Sequence, residues 1–162
     1  MTSHTSQTQD EIHANSIELT KSSKGIIPFV EDEVQRFEAE SGKFLSGEQD
    51  NAVFTPFRLK QGIYGQRQAD VQMIRIKLPG GILTSEAADA LGDIIEESAP
   101  LKKGHITTRE NIQIHHIPLP DCPGIMRRLG TVGLSSREAC GNTVRNVVGP
   151  FDAGVCPAEI FD

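Results

Sequence analysis

The chain of 162 residues is poor in the residues that mark a nucleic-acid-binding protein. It contains no tryptophan, one tyrosine and seven phenylalanines, and its 16 Lys and Arg are outnumbered by 22 Asp and Glu. Nucleic-acid binding needs basic side chains that displace counterions and aromatic rings that stack on bases. The composition therefore argues against a nucleic-acid partner.

Long apolar runs are also missing from the sequence. No window approaches the roughly 18 consecutive apolar residues that a membrane span requires. The opening MTSHTSQTQDEIHANS has no apolar core of the signal-peptide type. We therefore expect a soluble protein with no membrane partner and a cytoplasmic location.

Cysteine is scarce, and its spacing suits neither of its usual structural uses. Cys122, Cys140 and Cys156 include no CxxC pair. Structural zinc usually draws ligands from close pairs, and a secreted disulfide framework favours an even number of cysteines. We interpret the three as buried or idle thiols in a reducing compartment and assign no residue as a metal ligand.

The N-terminal third differs in charge from the rest of the chain. The first 57 residues hold four Lys or Arg against ten Asp or Glu, which accounts for the whole net charge of -6. Residues 1 to about 24 have the polar composition of a flexible leader. Hydrophobic spacing predicts one amphipathic helix within residues 28–42, ended by Ser41 and Gly42, and residues 43–56 are expected to be a loop.

Residues 56–117 carry the pattern of a strand, a helix and a second strand. VQMIRIKL, residues 71–78, has the alternation of a strand, with Gln72, Ile74, Ile76 and Leu78 on one face and Val71, Met73, Arg75 and Lys77 on the other. Thr84 is placed to cap the next helix, which Pro100 closes, and TTRENIQIHHI, residues 107–117, is predicted to be the second strand. This βαβ unit predicts an α+β, ferredoxin-like fold with the two strands parallel. A short helix from Asp121 and a short strand bearing Arg145 should follow.

One face of the predicted strand pair is polar. It carries Arg75 and Lys77 with Met73 at the edge, and Thr107, Arg109, Asn111, Gln113 and His115 on the second strand. Arginine donates paired hydrogen bonds to carboxylates, and Thr, Asn and Gln supply neutral donors. The face fits a flat ligand with several carboxylates. Periodicity fits a solvated strand face equally well, and it does not decide between a structural and a functional role for Arg145.

Four segments, taken in order, resemble a known family. GIYGQRQ, MIRIKLPGGILT, TTRENIQIHHI and GLSSREACGNTVRN resemble successive signatures in the N-terminal half of siroheme-dependent nitrite and sulfite reductases. The resemblance runs from about Phe57 to Asp162. It implies a leader and helix over residues 1–55, a ferredoxin-like half-domain over 56–117, and the incomplete start of a siroheme-binding α/β domain over 118–162.

The resemblance also implies cofactors and residue roles. Siroheme is an iron isobacteriochlorin with eight carboxylates, and the family pairs it with a [4Fe-4S] cluster whose cysteine ligands are expected downstream of this chain. Thr107, Arg109 and Gln113 resemble the family's siroheme contacts, while Arg75 and Arg145 resemble the arginines that bind the substrate anion. His105 stands where the family often has an arginine.

The implied activity is the six-electron reduction of nitrite to ammonia or of sulfite to sulfide, with a donor such as ferredoxin. The chain alone is expected to be inactive. Arg75 and Arg145 suit either oxyanion, so the sequence does not choose the substrate. Two alternatives stay open: a precorrin-3B synthase-like enzyme of cobalamin synthesis, and a non-catalytic tetrapyrrole-binding module.

Overall fold

The computed structural model describes residues 27–152 and 154–158, so the expected leader lies outside the described residues. The helices are α1 (Glu31–Leu45), α2 (Asn51–Lys60), α3 (Ser85–Ser98) and α4 (Cys122–Thr131). The strands are β1 (Ile63–Gly65), β2 (Val71–Ile76), β3 (Gly104–Ile106) and β4 (Ile112–Pro118). Two short 3-10 turns span Pro79–Gly81 and Leu119–Asp121. The α+β class is confirmed.

The four strands form one sheet in the order β1-β2-β4-β3, and every neighbouring pair is antiparallel. Strands β2 and β3 are parallel and are joined through α3, with β4 between them. The arrangement is a split βαβ unit of ferredoxin-like type. The prediction that residues 71–78 and 107–117 are parallel strands was wrong, because β3 takes the parallel position and β4 runs back beside β2.

The first part of the TTRENIQIHHI segment forms a turn. Thr107 Oγ1 accepts hydrogen bonds from the backbone N–H groups of Arg109 at 3.3 Å and Asn111 at 3.1 Å. Glu110 adopts a φ of 58°, and its N–H donates to the Thr107 carbonyl at 2.9 Å. A threonine that satisfies the backbone ahead of it favours a turn over a strand. Thr107, Arg109 and Asn111 are therefore not on a strand, contrary to the prediction.

A β-bulge near the end of β4 changes which of its residues face the core. Ile74 of β2 and Ile114 and Ile117 of β4 are fully buried. Ile114 and Ile117 are three residues apart in β4, whereas their partners in β2, Ile74 and Gln72, are only two residues apart. His116 absorbs the extra residue with a φ of 62°, and its N–H donates to Gln66 Oε1 at 2.6 Å. The bulge places Ile117 in the core instead of His116.

Helix α1 continues past Ser41 and Gly42, where its end was predicted. Gly42 costs the helix about 1 kcal/mol relative to alanine. Burial of Phe37 and the packing of Phe44 against the core outweigh that cost. The helix ends at Leu45, and Gly47 then adopts a φ of 80°.

The second helix, α2, lies where a loop was expected. Its cap is Asp50, whose carboxylate accepts from the Ala52 N–H at 2.8 Å. Phe54 is fully buried, and its ring stacks on Phe44 with 4.6 Å between ring centroids. The sequence pattern did not predict this helix, because Pro56, its sixth residue, is of a type that usually ends or kinks a helix. The expected boundary between residues 55 and 56 falls inside α2.

Helices α3 and α4 agree with the sequence pattern. Thr84 caps α3 by accepting from the Ala87 N–H at 3.2 Å, and Leu91 and Ile94 are buried. The inward residues of α4 are also buried: Ile125, Met126 and Leu129. Within the described ranges, no helix is both long enough and apolar enough to cross a membrane.

The segment after α4 has little regular structure. Residues 144–150 are irregular, so the short strand expected to bear Arg145 is absent from the described part of the chain. An isolated antiparallel bridge joins Ser135 to Lys77 just beyond β2. The following residues return to the same end of the sheet, and this end holds the candidate site.

Candidate anion-binding site

An open cleft of about 640 Å³, continuous with solvent, lies where β2, the β3–β4 turn and the segment after α4 meet. It is lined by Arg75, Thr107, Thr108, Arg109, Asn111, Gln113 and Arg145. The five residues to which the family resemblance gives a role all line this cleft: Arg75, Thr107, Arg109, Gln113 and Arg145. The fold thus brings together residues that are up to 70 positions apart in the sequence.

Arg75 is held in place by its cross-strand partner Gln113. The two residues are paired in the β2–β4 register. With its amide oriented to satisfy both groups, the Gln113 oxygen accepts from Arg75 Nε at 2.8 Å and also from Arg75 Nη2. Arg75 Nη1 donates to the Ala139 carbonyl at 3.4 Å. These contacts leave two of the five guanidinium N–H donors, and the Gln113 NH₂ group, free to bind a ligand.

The β3–β4 turn supplies a threonine and an exposed arginine. Thr107 Oγ1 accepts two backbone hydrogen bonds, so its own hydroxyl proton is free to donate. Asn111, in contrast, is buried, and its Oδ1 accepts from the Leu78 N–H at 3.2 Å. Asn111 therefore ties the turn to the end of β2. Of the residues in this turn, Thr107 and Arg109 therefore supply the groups that can contact a ligand.

Arg145 reaches the cleft from an irregular segment that is held by side-chain hydrogen bonds. Gly141 adopts a φ of 81° at the bend before it. Thr143 Oγ1 donates to the Glu138 carbonyl at 2.8 Å. Asn146 Nδ2 donates to the Leu78 carbonyl at 2.8 Å and to the Arg109 carbonyl at 2.9 Å. The sequence singled out Arg145 and missed Asn146, whose position directly after Arg145 was the available signal.

The lining of the cleft is electropositive. Among the described residues that line it, three are arginines and none is acidic. Burial raises the pKa of the Cys140 thiol, and the positive charges of Arg75 and Arg145 oppose that rise. Arg75 and Arg145 both line this cleft. Such an arrangement suits an anionic ligand.

Two residues of the predicted polar face lie outside the cleft lining. Lys77 Nζ donates to the Val144 carbonyl at 3.1 Å, and burial lowers the pKa of Lys77. His115 packs edge-on against His105 with 5.2 Å between ring centroids, and its Nδ1 accepts from Gln66 Nε2 at 3.2 Å. Burial is the main effect that lowers the pKa of His115, and electrostatic interactions with His105, His116 and Arg75 lower it further. Its neutral form is therefore favoured at neutral pH.

The described cysteines do not form a metal centre. Cys122 and Cys140 are buried, and Cys156 is partly exposed. In the part of the chain that the structure describes, no three His, Cys, Asp or Glu side chains are grouped to hold a metal ion. These residues do not fit the cysteine set of a [4Fe-4S] cluster.

Comparison with known proteins identifies the sheet region. Residues 64–132 match the nitrite/sulfite reductase ferredoxin-like half domain. The chloroplastic ferredoxin–nitrite reductase of Arabidopsis thaliana is 35% identical over 137 residues, which cover 83% of this chain and 23% of that protein. The ferredoxin sulfite reductase of Mycobacterium tuberculosis is 39% identical over 95 residues, which cover 59% of this chain and 17% of that protein.

A solved structure supports the same likeness. The Mycobacterium tuberculosis NirA protein aligns with a TM-score of 0.52 and 30% identity, covering 57% of this chain and 20% of that chain. The chain thus spans about a fifth of the length of the relatives that it matches. The resemblance inferred from the four sequence segments is confirmed at the level of the family.

Proposed function

Since the chain belongs to the nitrite/sulfite reductase family through the half-domain at residues 64–132, we propose that it is the N-terminal portion of a siroheme-dependent reductase. The proposed reaction is the six-electron reduction of nitrite to ammonia or of sulfite to sulfide. One observation carries the proposal: the five residues that resemble cofactor and substrate contacts line a single cleft.

The donor groups of the cleft fit a polycarboxylated tetrapyrrole. Thr107 offers a hydroxyl proton, Arg109 an exposed guanidinium, and Gln113 the NH₂ end of an amide whose oxygen is already occupied by Arg75. Each is a donor, as carboxylates require, and the planar guanidinium can make paired hydrogen bonds. We assign these three residues to siroheme carboxylates. When bound, siroheme supplies the redox chemistry at its iron.

Arg75 and Arg145 are assigned to the substrate anion. Arg75 is preorganised by Gln113 and by the Ala139 carbonyl, and therefore needs little rearrangement to receive nitrite or sulfite. A guanidinium keeps its proton at neutral pH, so both residues would bind, orient and stabilise negative charge without acting as general acids. The donor pattern suits both oxyanions.

The proposal also includes an iron–sulfur cluster, an electron donor and a cellular location. A [4Fe-4S] cluster would be held by cysteines outside this chain, because the three cysteines here do not form a ligand set. The relatives include ferredoxin–nitrite reductases and ferredoxin sulfite reductases, which supports ferredoxin as the donor. We propose the cytoplasm as the location.

The assigned roles predict different losses in a reductase that carries this chain. Arg75→Ala and Arg145→Ala should lower kcat/KM for the substrate anion at least tenfold and keep siroheme, since a charge-assisted hydrogen bond contributes about 1.5–3 kcal/mol. Arg109→Ala should instead lower siroheme occupancy, measured by the tetrapyrrole absorption bands.

Arg67→Ala is the matched control, because Arg67 is exposed and lies outside the cleft lining. It should change neither quantity. Equal rates and equal siroheme content in all three cleft variants would rule out the assignment. Residues 1–162 alone should turn over neither nitrite nor sulfite.

A further inference from the structure

The side chain of Asn146 links the segments that supply the three arginines of the cleft. Its Nδ2 donates to the Leu78 carbonyl at 2.8 Å, just beyond the strand that carries Arg75. The same nitrogen donates to the carbonyl of Arg109 at 2.9 Å. Asn146 is itself the chain neighbour of Arg145. One amide group thus contacts, or directly adjoins, all three arginine-bearing segments.

Two asparagines together satisfy both polar groups of the Leu78 residue. The Leu78 N–H donates to Asn111 Oδ1 at 3.2 Å, and its carbonyl accepts from Asn146. Asn111 is only 2% exposed and belongs to the same turn as Arg109. The side chains of Asn111 and Asn146 therefore connect the β3–β4 turn and the segment after α4 through the backbone of Leu78.

Few other hydrogen bonds hold the segment of Arg145 on this end of the sheet. The Gly80 N–H donates to the Val147 carbonyl at 2.8 Å, and Lys77 Nζ donates to the Val144 carbonyl at 3.1 Å. The side chains of Val144 and Val147 are 73% and 69% exposed, so apolar burial contributes little there. The position of Arg145 thus depends strongly on the bonds that Asn146 makes.

We propose that Asn146 is a positioning residue, which holds Arg145 against the Arg109 turn and the end of β2 so that the three arginines face one cleft. The identity of the ligands of that cleft rests on the proposed function, whereas the hydrogen bonds do not. Both partners of Nδ2 are carbonyl oxygens, so the position requires a donor. An aspartate there would place a carboxylate oxygen against two carbonyls, and an alanine would leave both without that donor.

The test uses the 162-residue chain with Asn146→Ala and Asn146→Asp. Asn142→Ala and Asn142→Asp are the matched controls, because Asn142 is an exposed asparagine of the same segment and the charge change is identical. Hydrogen exchange is measured by NMR at the Gly80 amide, which reports on the attachment of the segment. The Arg75 amide, which donates to the Gly62 carbonyl at 2.9 Å within the sheet, is the reference. Siroheme affinity is measured by absorption titration.

Both Asn146 variants should exchange the Gly80 amide at least tenfold faster. They should also bind siroheme at least fivefold more weakly, because the turn that carries Arg109 loses its hydrogen bond from Asn146. The Arg75 amide should stay within twofold of the wild type, and so should both readouts in the Asn142 controls. An unchanged Gly80 amide, or an Arg75 amide that accelerates equally, would overturn the positioning role.

Faster Gly80 exchange with unchanged siroheme affinity would also overturn the positioning role while leaving the proposed function intact. A wild-type chain that binds no siroheme would count against the proposed function instead. In that case, the exchange of the Arg109 and Asn111 amides, which both donate to Thr107 Oγ1, decides for or against the positioning role in the Asn146 variants. Local acceleration supports it, and wild-type rates contradict it.

Discussion

Gln113 determines which groups Arg75 can offer to a ligand. Its amide oxygen takes two of the guanidinium donors, and this fixes the plane of the arginine and turns the NH₂ group of Gln113 away from it. Strand alternation predicted that Arg75 and Gln113 share a face, and the β2–β4 register makes them direct partners. Their hydrogen bonds could not be read from the sequence, because the two strands were expected to be parallel.

Among single residues, Cys122 gives the clearest pH dependence. Burial raises the pKa of its thiol to about 12, and the thiol donates to the Pro118 carbonyl at 3.6 Å. The unfolded pKa is about 8.5, so the folded state holds the proton more tightly. The stabilisation is full below pH 8.5 and is lost as pH rises toward 12, at up to about 1.4 kcal/mol per pH unit.

Urea unfolding at pH 8, 9.5 and 10.5 measures this effect. Cys122→Ala should show a shallower fall in the free energy of unfolding above pH 8.5 than the wild type. Identical slopes in wild type and Cys122→Ala would show that the thiol makes no contribution.

At the scale of elements, the bulge at the end of β4 depends on one glutamine. Gln66 accepts from the His116 N–H at 2.6 Å and donates to His115 Nδ1 at 3.2 Å. Gln66→Ala should lower the free energy of unfolding by about 1–2 kcal/mol, because a part-buried backbone donor in a strained φ region loses its partner. Thermal or urea unfolding measures the change.

Gln68→Ala is the comparison for that variant, since Gln68 is exposed in the same loop. It should change stability by less than about 0.5 kcal/mol. If Gln66→Ala were no less stable than Gln68→Ala, the bulge would be held by the flanking β2–β4 ladder alone.

The elements that the sequence pattern predicted well are those with one strong periodicity. The strand at β2 and the Thr84 cap of α3 depend on neighbours in sequence, and both are found. The alternation itself is interrupted, because Gln72, Met73 and Ile74 are all buried. The turn at residues 107–111 and the bulge at His116 were not predicted. A pattern of alternating polar residues occurs in turns as readily as in strands. Their conformations depend on hydrogen bonds to Thr107 Oγ1 and to Gln66, and the Gln66 contact is long-range.

Across the whole molecule, acidic charge is concentrated in one part of the sequence. The net charge of -6 lies in the N-terminal third. Some of these acidic residues form ion pairs: Arg127 lies 2.9 Å from both Glu31 and Glu38, and Arg137 lies 3.1 Å from Glu33. The cleft lining has no acidic residue among those described. Composition could not reveal an electropositive site in an acidic chain.

The resemblance to the family identified the site residues, whereas the fold was needed to show that they lie close together. Periodicity left Arg75 and Lys77 open to interpretation as a solvated face, and it gave Arg145 no definite role. The antiparallel sheet brings the β3–β4 turn beside the end of β2, and the irregular segment after α4 returns Arg145 to the same place. That return depends on Asn146, which no local pattern singled out.

The most direct measurement is a titration of the 162-residue chain with siroheme, followed by the tetrapyrrole absorption bands. A cleft that binds the cofactor carboxylates should give weak but saturable one-to-one binding that added salt weakens further. Arg109→Ala should weaken it at least tenfold, and Arg67→Ala should stay within twofold of the wild type. No saturable binding, or equal affinity in Arg109→Ala and Arg67→Ala, would contradict the assignment of this cleft to siroheme.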